Sequence, residues 1–406
     1  MVTHDDVTRF PWELGIYDSH CHPTDTMSSI PIIKSMKTRV LTVMGTRAQD
    51  QELVVSVAQE YGIKSDKAAD WKENDRVVPC FGWHPWFSHQ MYIRKEEDDV
   101  KEGVTAVSID QTTLQGDEKI KHYQAVLQPH RPDLSDEDRR IYLSLPDPLP
   151  FSLFLSETRK RLEAHPFSLV GEIGLDRSFR IPEAWLPEVQ DQRDEGLTPG
   201  GREGRRLTPF RVDMKHQKTI FKLQLQLAAE MGRAVSIHGV QAHGVLFETL
   251  KELYKGHENE VLSKRERKKQ GQDNVDAQHG EIYTANEPKP YPPRICLHSY
   301  SGNAAHFKQY KNPNIPIDIF ASFSSAINLS EEEGGAISKS FEETIKETPD
   351  QMLLVESDLH VAGHIMDQHM EDIVRNICHI KGWTLEKGIG ILRDNYLRFL
   401  FGTDKQ

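Results

Sequence analysis

Asp18-Ser19-His20-Cys21-His22 closes an apolar run that begins near residue 15, and its reading decides the fold. Side chains two apart on a strand point to the same face, so His20 and His22 share a face and Cys21 turns away. Two imidazoles on one face suit a single divalent ion. Asp18 has the same parity one layer deeper, and is expected to support a ligating imidazole through a hydrogen bond. The arrangement recurs down the chain. Glu172 follows Phe167-Ser168-Leu169-Val170-Gly171, and His238 follows Ala234-Val235-Ser236-Ile237. His298 follows Arg294-Ile295-Cys296-Leu297, and Asp358 comes just after Met352-Leu353-Leu354-Val355. Metal-binding side chains that end strand-like runs along the whole chain predict a parallel βα barrel. Such a barrel gathers its active site at the C-terminal ends of its strands.

The order of elements agrees. Strands are expected near 15–20, 39–44, 77–82, 168–173, 234–238, 294–298, 315–323 and 352–356, with helical patterns between several of them. This predicts an α/β fold, a (β/α)8 TIM barrel. The clearest helix covers 216–231, with apolar residues in one stripe and Gly232 suited to a left-handed position past its end. The last helix is expected to start at Thr384 as N-cap and to run towards Phe401. Three segments exceed a minimal barrel: 95–150, 186–212 and 255–292, rich in charge, glycine or proline. They are read as long loop insertions in one barrel domain spanning 1–406, the second and third largely irregular and outside the barrel wall.

Composition narrows the partners. The net charge of -12 over 406 residues argues against a broad basic surface for nucleic acid. It leaves room for a local site where bound metal supplies positive charge. No apolar run approaches the roughly 20 residues of a membrane span, so no membrane partner is expected. The polar, acidic start Met1-Val2-Thr3-His4-Asp5-Asp6 does not read as a signal or transit peptide. Cys21, Cys80, Cys296 and Cys378 are far apart, which suggests reduced thiols and a cytoplasmic or nuclear location.

Glu172 carries the strongest chemical demand. A carboxylate among apolar and glycine neighbours must be paired, protonated or bound to metal. Its two oxygens can each serve a different ion. Asp176, on the following loop, is expected to orient a ligand, and Glu356 to support the site from one layer below Asp358. Asp358, an acid in a site supplied mainly with neutral imidazoles, is the favoured general base.

With Gly82-Trp83-His84-Pro85, Gly171-Glu172-Ile173-Gly174-Leu175-Asp176, Ile237-His238, His298-Ser299-Tyr300-Ser301-Gly302 and Glu356-Ser357-Asp358 added to the first motif, the chain resembles the TatD family of metal-dependent deoxyribonucleases. The helix Gln217…Phe221…Gln224-Leu225 and the end Asn395…Phe399 fit the same pattern, over about 15–400. The insertions make it look most like fungal members, some described as interacting with a subunit of the anaphase-promoting complex. The resemblance implies two divalent metal ions (Mg²⁺, Mn²⁺ or Zn²⁺) held by His20, His22, Glu172, His238, His298 and Asp358, with Glu172 bridging. It implies DNA as substrate, cut at phosphodiester bonds to leave 5′-phosphates, with Glu172 and Asp358 in the catalytic roles. His84 is expected to face the substrate phosphate. Trp86 is open to two readings, a stacking platform for a base or plain packing.

The chain departs from the pattern at three places. Val240 and Gln241 stand where the family usually has an arginine and an acid after the fifth-strand histidine. Asp25 lies three residues beyond His22 instead of two. Leu359-His360 replaces a usual Ala-Pro. Two other functions stay open. An amidohydrolase acting on a small substrate usually carries a bridging lysine where this chain has Glu172. A catalytically weak barrel serving as a protein-interaction scaffold would tolerate the departures.

Overall fold

The computed structural model describes residues 9–93, 112–185, 191–260, 289–329 and 337–402. Eight parallel strands form one sheet: β1 (Tyr17–Cys21), β2 (Val40–Met44), β3 (Val77–Phe81), β4 (Leu169–Asp176), β5 (Val235–Val240), β6 (Arg294–Leu297), β7 (Asp318–Phe323) and β8 (Leu353–Val355). Each pairs with the next in sequence order, which is the barrel order. All eight expected strands are present. β7 starts later than 315 because Pro316 has no N–H to give a ladder. β4 runs on to Asp176, where it pairs with Val240 of β5.

The barrel closes where the first and last strand ends meet. Asp358 N donates to His20 O at 3.0 Å, and His22 N donates to Leu359 O at 2.8 Å. Ser19 Oγ adds a bond to Val355 O at 2.9 Å. Nearly every strand residue is buried, inside by other strands and outside by helices, which explains the near-continuous apolar runs.

The longer helices are α1 (Gln51–Tyr61), α2 (Gly116–Val126), α3 (Asp136–Ser144), α4 (Phe151–Ala164), α5 (Met214–Glu230), α6 (His243–Tyr254), α7 (Lys339–Glu347), α8 (His364–Lys381) and α9 (Leu385–Phe401). α9 begins as expected, with Thr384 capping Lys387 N. α5 starts before 216 because Asp213 is its cap and accepts from Lys215 N and His216 N. Gly232 takes the expected left-handed conformation at φ +63°.

The insertions differ from expectation in part. Described residues of 112–150 are not a loop: they form α2 and α3. Ile120, Tyr123, Val126, Leu127, Tyr142 and Leu145 enclose a small core with Ile181, Phe210 and Val212. The reason is an aromatic and aliphatic set spread too thinly along the sequence to show a period. Residues 191–212 are largely irregular, as expected, yet they end in a short strand, Arg211–Val212, paired with Leu127–Gln128. Residues 261–288, most of the third insertion, lie outside the described residues. No helix among the described residues is long and apolar enough to cross a membrane.

Candidate metal centre

β1 delivers His20 and His22, β4 delivers Glu172, β5 and β6 deliver His238 and His298, and the residues after β8 deliver Asp358. Gly171 and Gly174 let β4 lie tight against β5. A Cβ at 171 would meet Ser236 O at 2.8 Å, and one at 174 would meet His238 O at 2.0 Å. Both have positive φ, so glycine is required there twice over.

Glu172 sits at the centre of the cluster. Its Oε2 lies 3.5 Å from Nε2 of both His20 and His22. Its Oε1 lies 2.8 Å from His238 Nδ1 and 2.8 Å from His298 Nε2. The two halves are tight in themselves. His20 Nε2 and His22 Nε2 are 3.1 Å apart, and His238 Nδ1 and His298 Nε2 are 3.2 Å apart. Asp358 Oδ1 joins the first half, 3.5 Å from His22 Nε2. All six residues expected as ligands therefore converge. Among the described residues, three groups have ligand atoms within 4.8 Å of one another: His20–His22–Glu172, His84–Glu172–His238 and His20–His298–Glu356.

A shell of supports aims these atoms. His20 Nδ1 meets Ser236 Oγ at 2.8 Å, across the barrel from β5. With Nδ1–H donated there, Nε2 presents its lone pair to the centre. His238 Nε2 meets Asp176 Oδ2 at 3.2 Å, and His298 Nδ1 meets Glu356 Oε1 at 3.3 Å. Asp176 and Glu356 thus contact the histidines as expected of supports. Asp18 does not. Its Oδ1 accepts from His20 N at 3.0 Å and Ser357 N at 3.1 Å, so it holds the backbone of two strand ends while Ser236 takes the imidazole.

Ser236 gave no signal in sequence, being a small polar residue inside an apolar run. Gln217 and Gln224 were also missed as functional. They lie seven apart on one face of α5. Gln217 clamps the backbone of Asp176, accepting from its N at 2.8 Å and donating to its O at 2.8 Å. Gln224 clamps Trp83 in the same way, at 2.7 and 3.1 Å. Buried glutamines within a helical apolar stripe were the available clue.

The electrostatics suit a cation. Burial alone would raise Glu172, but His84, His298 and His20 outweigh it and hold the carboxyl well below its ordinary range. Asp358 is lowered in the same way, by His22, His298 and His20 against burial. Burial opposes charge on His22, yet Asp358 and Glu172 raise it to about 9. Burial, with His298 beside it, keeps His20 low. Ionised carboxylates among buried, converging imidazole nitrogens are the donor chemistry of a divalent metal site.

His84 and Trp86, the residues expected to meet the substrate, both have protein partners at the centre. His84 is 3% exposed. Its Nδ1 accepts from Trp86 N at 3.2 Å, which leaves Nε2–H to donate to Glu172 Oε1 at 3.1 Å. Burial pushes it down to about 4, so it stays neutral. In this structure it is a hydrogen-bond donor to Glu172. The Trp86 ring is also occupied. Phe179 stacks on it at 4.3 Å and 8°, His84 meets it edge-on at 4.7 Å, and its Nε1 donates to Asp176 Oδ2 at 2.6 Å. Of its two readings, packing is the one these contacts favour.

The chain matches the family described as TatD related DNase over residues 17–401. It is 36% identical to the Cut9-interacting protein scn1 of Schizosaccharomyces pombe, over 95% of this chain and 98% of that protein. It is 27% identical to the uncharacterized deoxyribonuclease YMR262W of Saccharomyces cerevisiae, over 70% of this chain and 67% of that one. The crystal structure of an uncharacterized amidohydrolase from Saccharomyces cerevisiae shares the fold, with a TM-score of 0.50 at 12% identity, covering 95% of this chain and 99% of that one. The match runs from the first residue of β1 to the last of α9 and takes in every strand end that feeds the centre, so the chain belongs to the TatD-related DNase family, a family of metal-dependent hydrolases.

Proposed function

We propose that this chain is a deoxyribonuclease that hydrolyses DNA phosphodiesters at a two-metal site and leaves 5′-phosphates. The observation that carries the reading is the position of Glu172, with one oxygen turned to His20 and His22 and the other to His238 and His298. His20, His22, Glu172 and Asp358 would hold one divalent ion (Mg²⁺, Mn²⁺ or Zn²⁺), and Glu172, His238 and His298 the other. When bound, such ions polarise a phosphoryl oxygen and make water a better nucleophile. The protein supplies the rest. Asp358, kept ionised, accepts the proton of the attacking water as general base. Glu172 on β4 can bridge without modification, which favours this reading over the small-substrate amidohydrolase. The name of the 36% identical relative supports a protein partner as well, a Cut9-like one, alongside catalysis.

The test is cleavage of single- and double-stranded DNA with Mg²⁺, Mn²⁺ or Zn²⁺, with Glu172→Ala as control. Asp358→Asn keeps size and one oxygen ligand but removes the base. Turnover is expected to fall by about 10²–10⁴, with a much smaller loss of metal binding. Wild-type turnover in that variant excludes Asp358 as the base. No cutting by the wild type with any of the three metals leaves the scaffold as the better reading.

A further inference from the structure

Two of the three places where the chain departs from its family pattern come together in space, and one insertion joins them. Asp25 Oδ2 accepts from His360 Nδ1 at 2.7 Å. Asp25 Oδ1 accepts from Arg47 at 2.6 Å. Arg47, 5% exposed, donates onward to Pro199 O at 2.9 Å and Thr198 O at 3.2 Å, and to Asp50 Oδ2 at 3.1 Å. Thr198 also bonds the first strand's loop directly, its N to Asp25 O at 2.8 Å. The loop that leaves β4 is thereby fastened over the loops that follow β1 and β2, at the barrel mouth.

The outcome of this clamp is the placement of one ring. His360 lies against His22, with ring centroids 5.3 Å apart and planes at 24°. His22 is buried at the metal centre, whereas the His360 side chain is 61% exposed. An exposed aromatic ring thus lies beside a metal-binding histidine, at the mouth of the centre. Trp86, by contrast, already has Phe179 stacked on its ring. A long flexible side chain at 360 would lose entropy on meeting a base, but a ring fixed by Asp25 has lost that freedom beforehand.

We propose that His360 is a substrate-binding residue that stacks on the nucleobase next to the scissile phosphodiester, and that Asp25 and Arg47 are its positioning residues. This rests on the nuclease reading above. The base supplies its π-face, so the contact is tolerant of base identity and is made with an unstacked base.

The test uses the full chain with metal and two short oligonucleotides, one normal and one abasic at the nucleotide beside the cut. His360→Ala is expected to raise KM on the normal oligonucleotide about 10-fold, the scale of one base–aromatic stack, with a much smaller change in kcat. On the abasic oligonucleotide the same variant and the wild type should have equal KM. His360→Phe should recover most of the loss, because it restores the ring. Arg47→Lys, which cannot make the fork of bonds, should raise KM on the normal oligonucleotide alone. An unchanged KM in His360→Ala, or an equal rise on both oligonucleotides, overturns the assignment. A wild type that cuts neither oligonucleotide overturns the nuclease reading, and this assignment with it.

Discussion

Polar side chains crowd one level of the barrel, where His20, Glu172, His238, His298 and Glu356 are all buried. The module beside it, made from α2, α3 and residues 181–185 and 191–212, is closed mainly by Ile120, Tyr123, Tyr142, Leu145 and Phe210. The first region holds charge that burial disfavours, and Glu172 stays ionised because it meets several imidazoles. The second is held by ordinary apolar contact. One region is therefore suited to binding a cation and the other to surviving without one. They meet at a histidine cluster: His122 of α2 bonds His89 O at 2.8 Å, and His216 of α5 bonds Ser88 O at 2.9 Å.

The sharpest way to break this contrast is Phe210→Ala. Phe210 is fully buried and its ring packs 5.1 Å from Tyr142. Loss of such a ring costs about 3–5 kcal/mol. Hydrogen exchange should show loosening of α2 and α3 while Mn²⁺ affinity at the centre stays within about twofold, the module being outside the metal shell. A collapse of metal affinity would show that the two regions are one cooperative unit.

Acidification should act next most strongly, and on the joint. Burial is the largest influence on all three histidines: it brings His89 to about 3 and His122 to about 4, and lowers His216 as well. Folded values below the ordinary 6.5 mean that the neutral forms are favoured in the fold. Their contribution is complete above about pH 6.5 and is lost as pH falls towards 4, on the order of 3 kcal/mol for His122. Exchange of α2, corrected for intrinsic rates, should rise between pH 7 and 4.5 more than that of α8. Equal change in both helices would remove the histidines as a joint.

Ser236→Ala should have the smallest effect and the most confined one. Loss of the contact to His20 Nδ1 should weaken Mn²⁺ binding about 10-fold, the usual scale for a lost support of a ligating histidine. The melting temperature without metal should change little, since one hydroxyl is removed from a well-packed site. Calorimetric titration of the variant measures this. Unaltered affinity would show that packing alone orients His20.

The barrel was legible because each strand is buried on both faces and so reads as an apolar run, and because each ligand ends such a run. Glu172 stood out as a charge with glycine and aliphatic neighbours. The supports were harder to read. Ser236, Gln217 and Gln224 act through bonds to residues 20, 176 and 83, and nothing local in sequence records a partner so far away. Asp18 has the right parity for a ring contact, but parity does not say whether a carboxylate will reach backbone or imidazole. The side module was hidden for another reason. Tyr123, Tyr142 and Phe210 meet only after a chain rich in proline and charge has turned back on itself. Trp86 showed its character as an aromatic near the mouth, while its occupation by Phe179 belonged to the fold alone.

The bonds from Asp358 N to His20 O and from His22 N to Leu359 O also bear on the life of the chain during its synthesis. The first strand emerges early and must wait for the last one. Until residues near 358 have left the ribosome, His20 and His22 lack both the acid beside them and the backbone partners that align them. A growing chain is thus unable to assemble its metal centre before residues near 358 have emerged. The same dependence places the decisive contact at very long sequence separation, which makes closure of the barrel a late and slow event in folding.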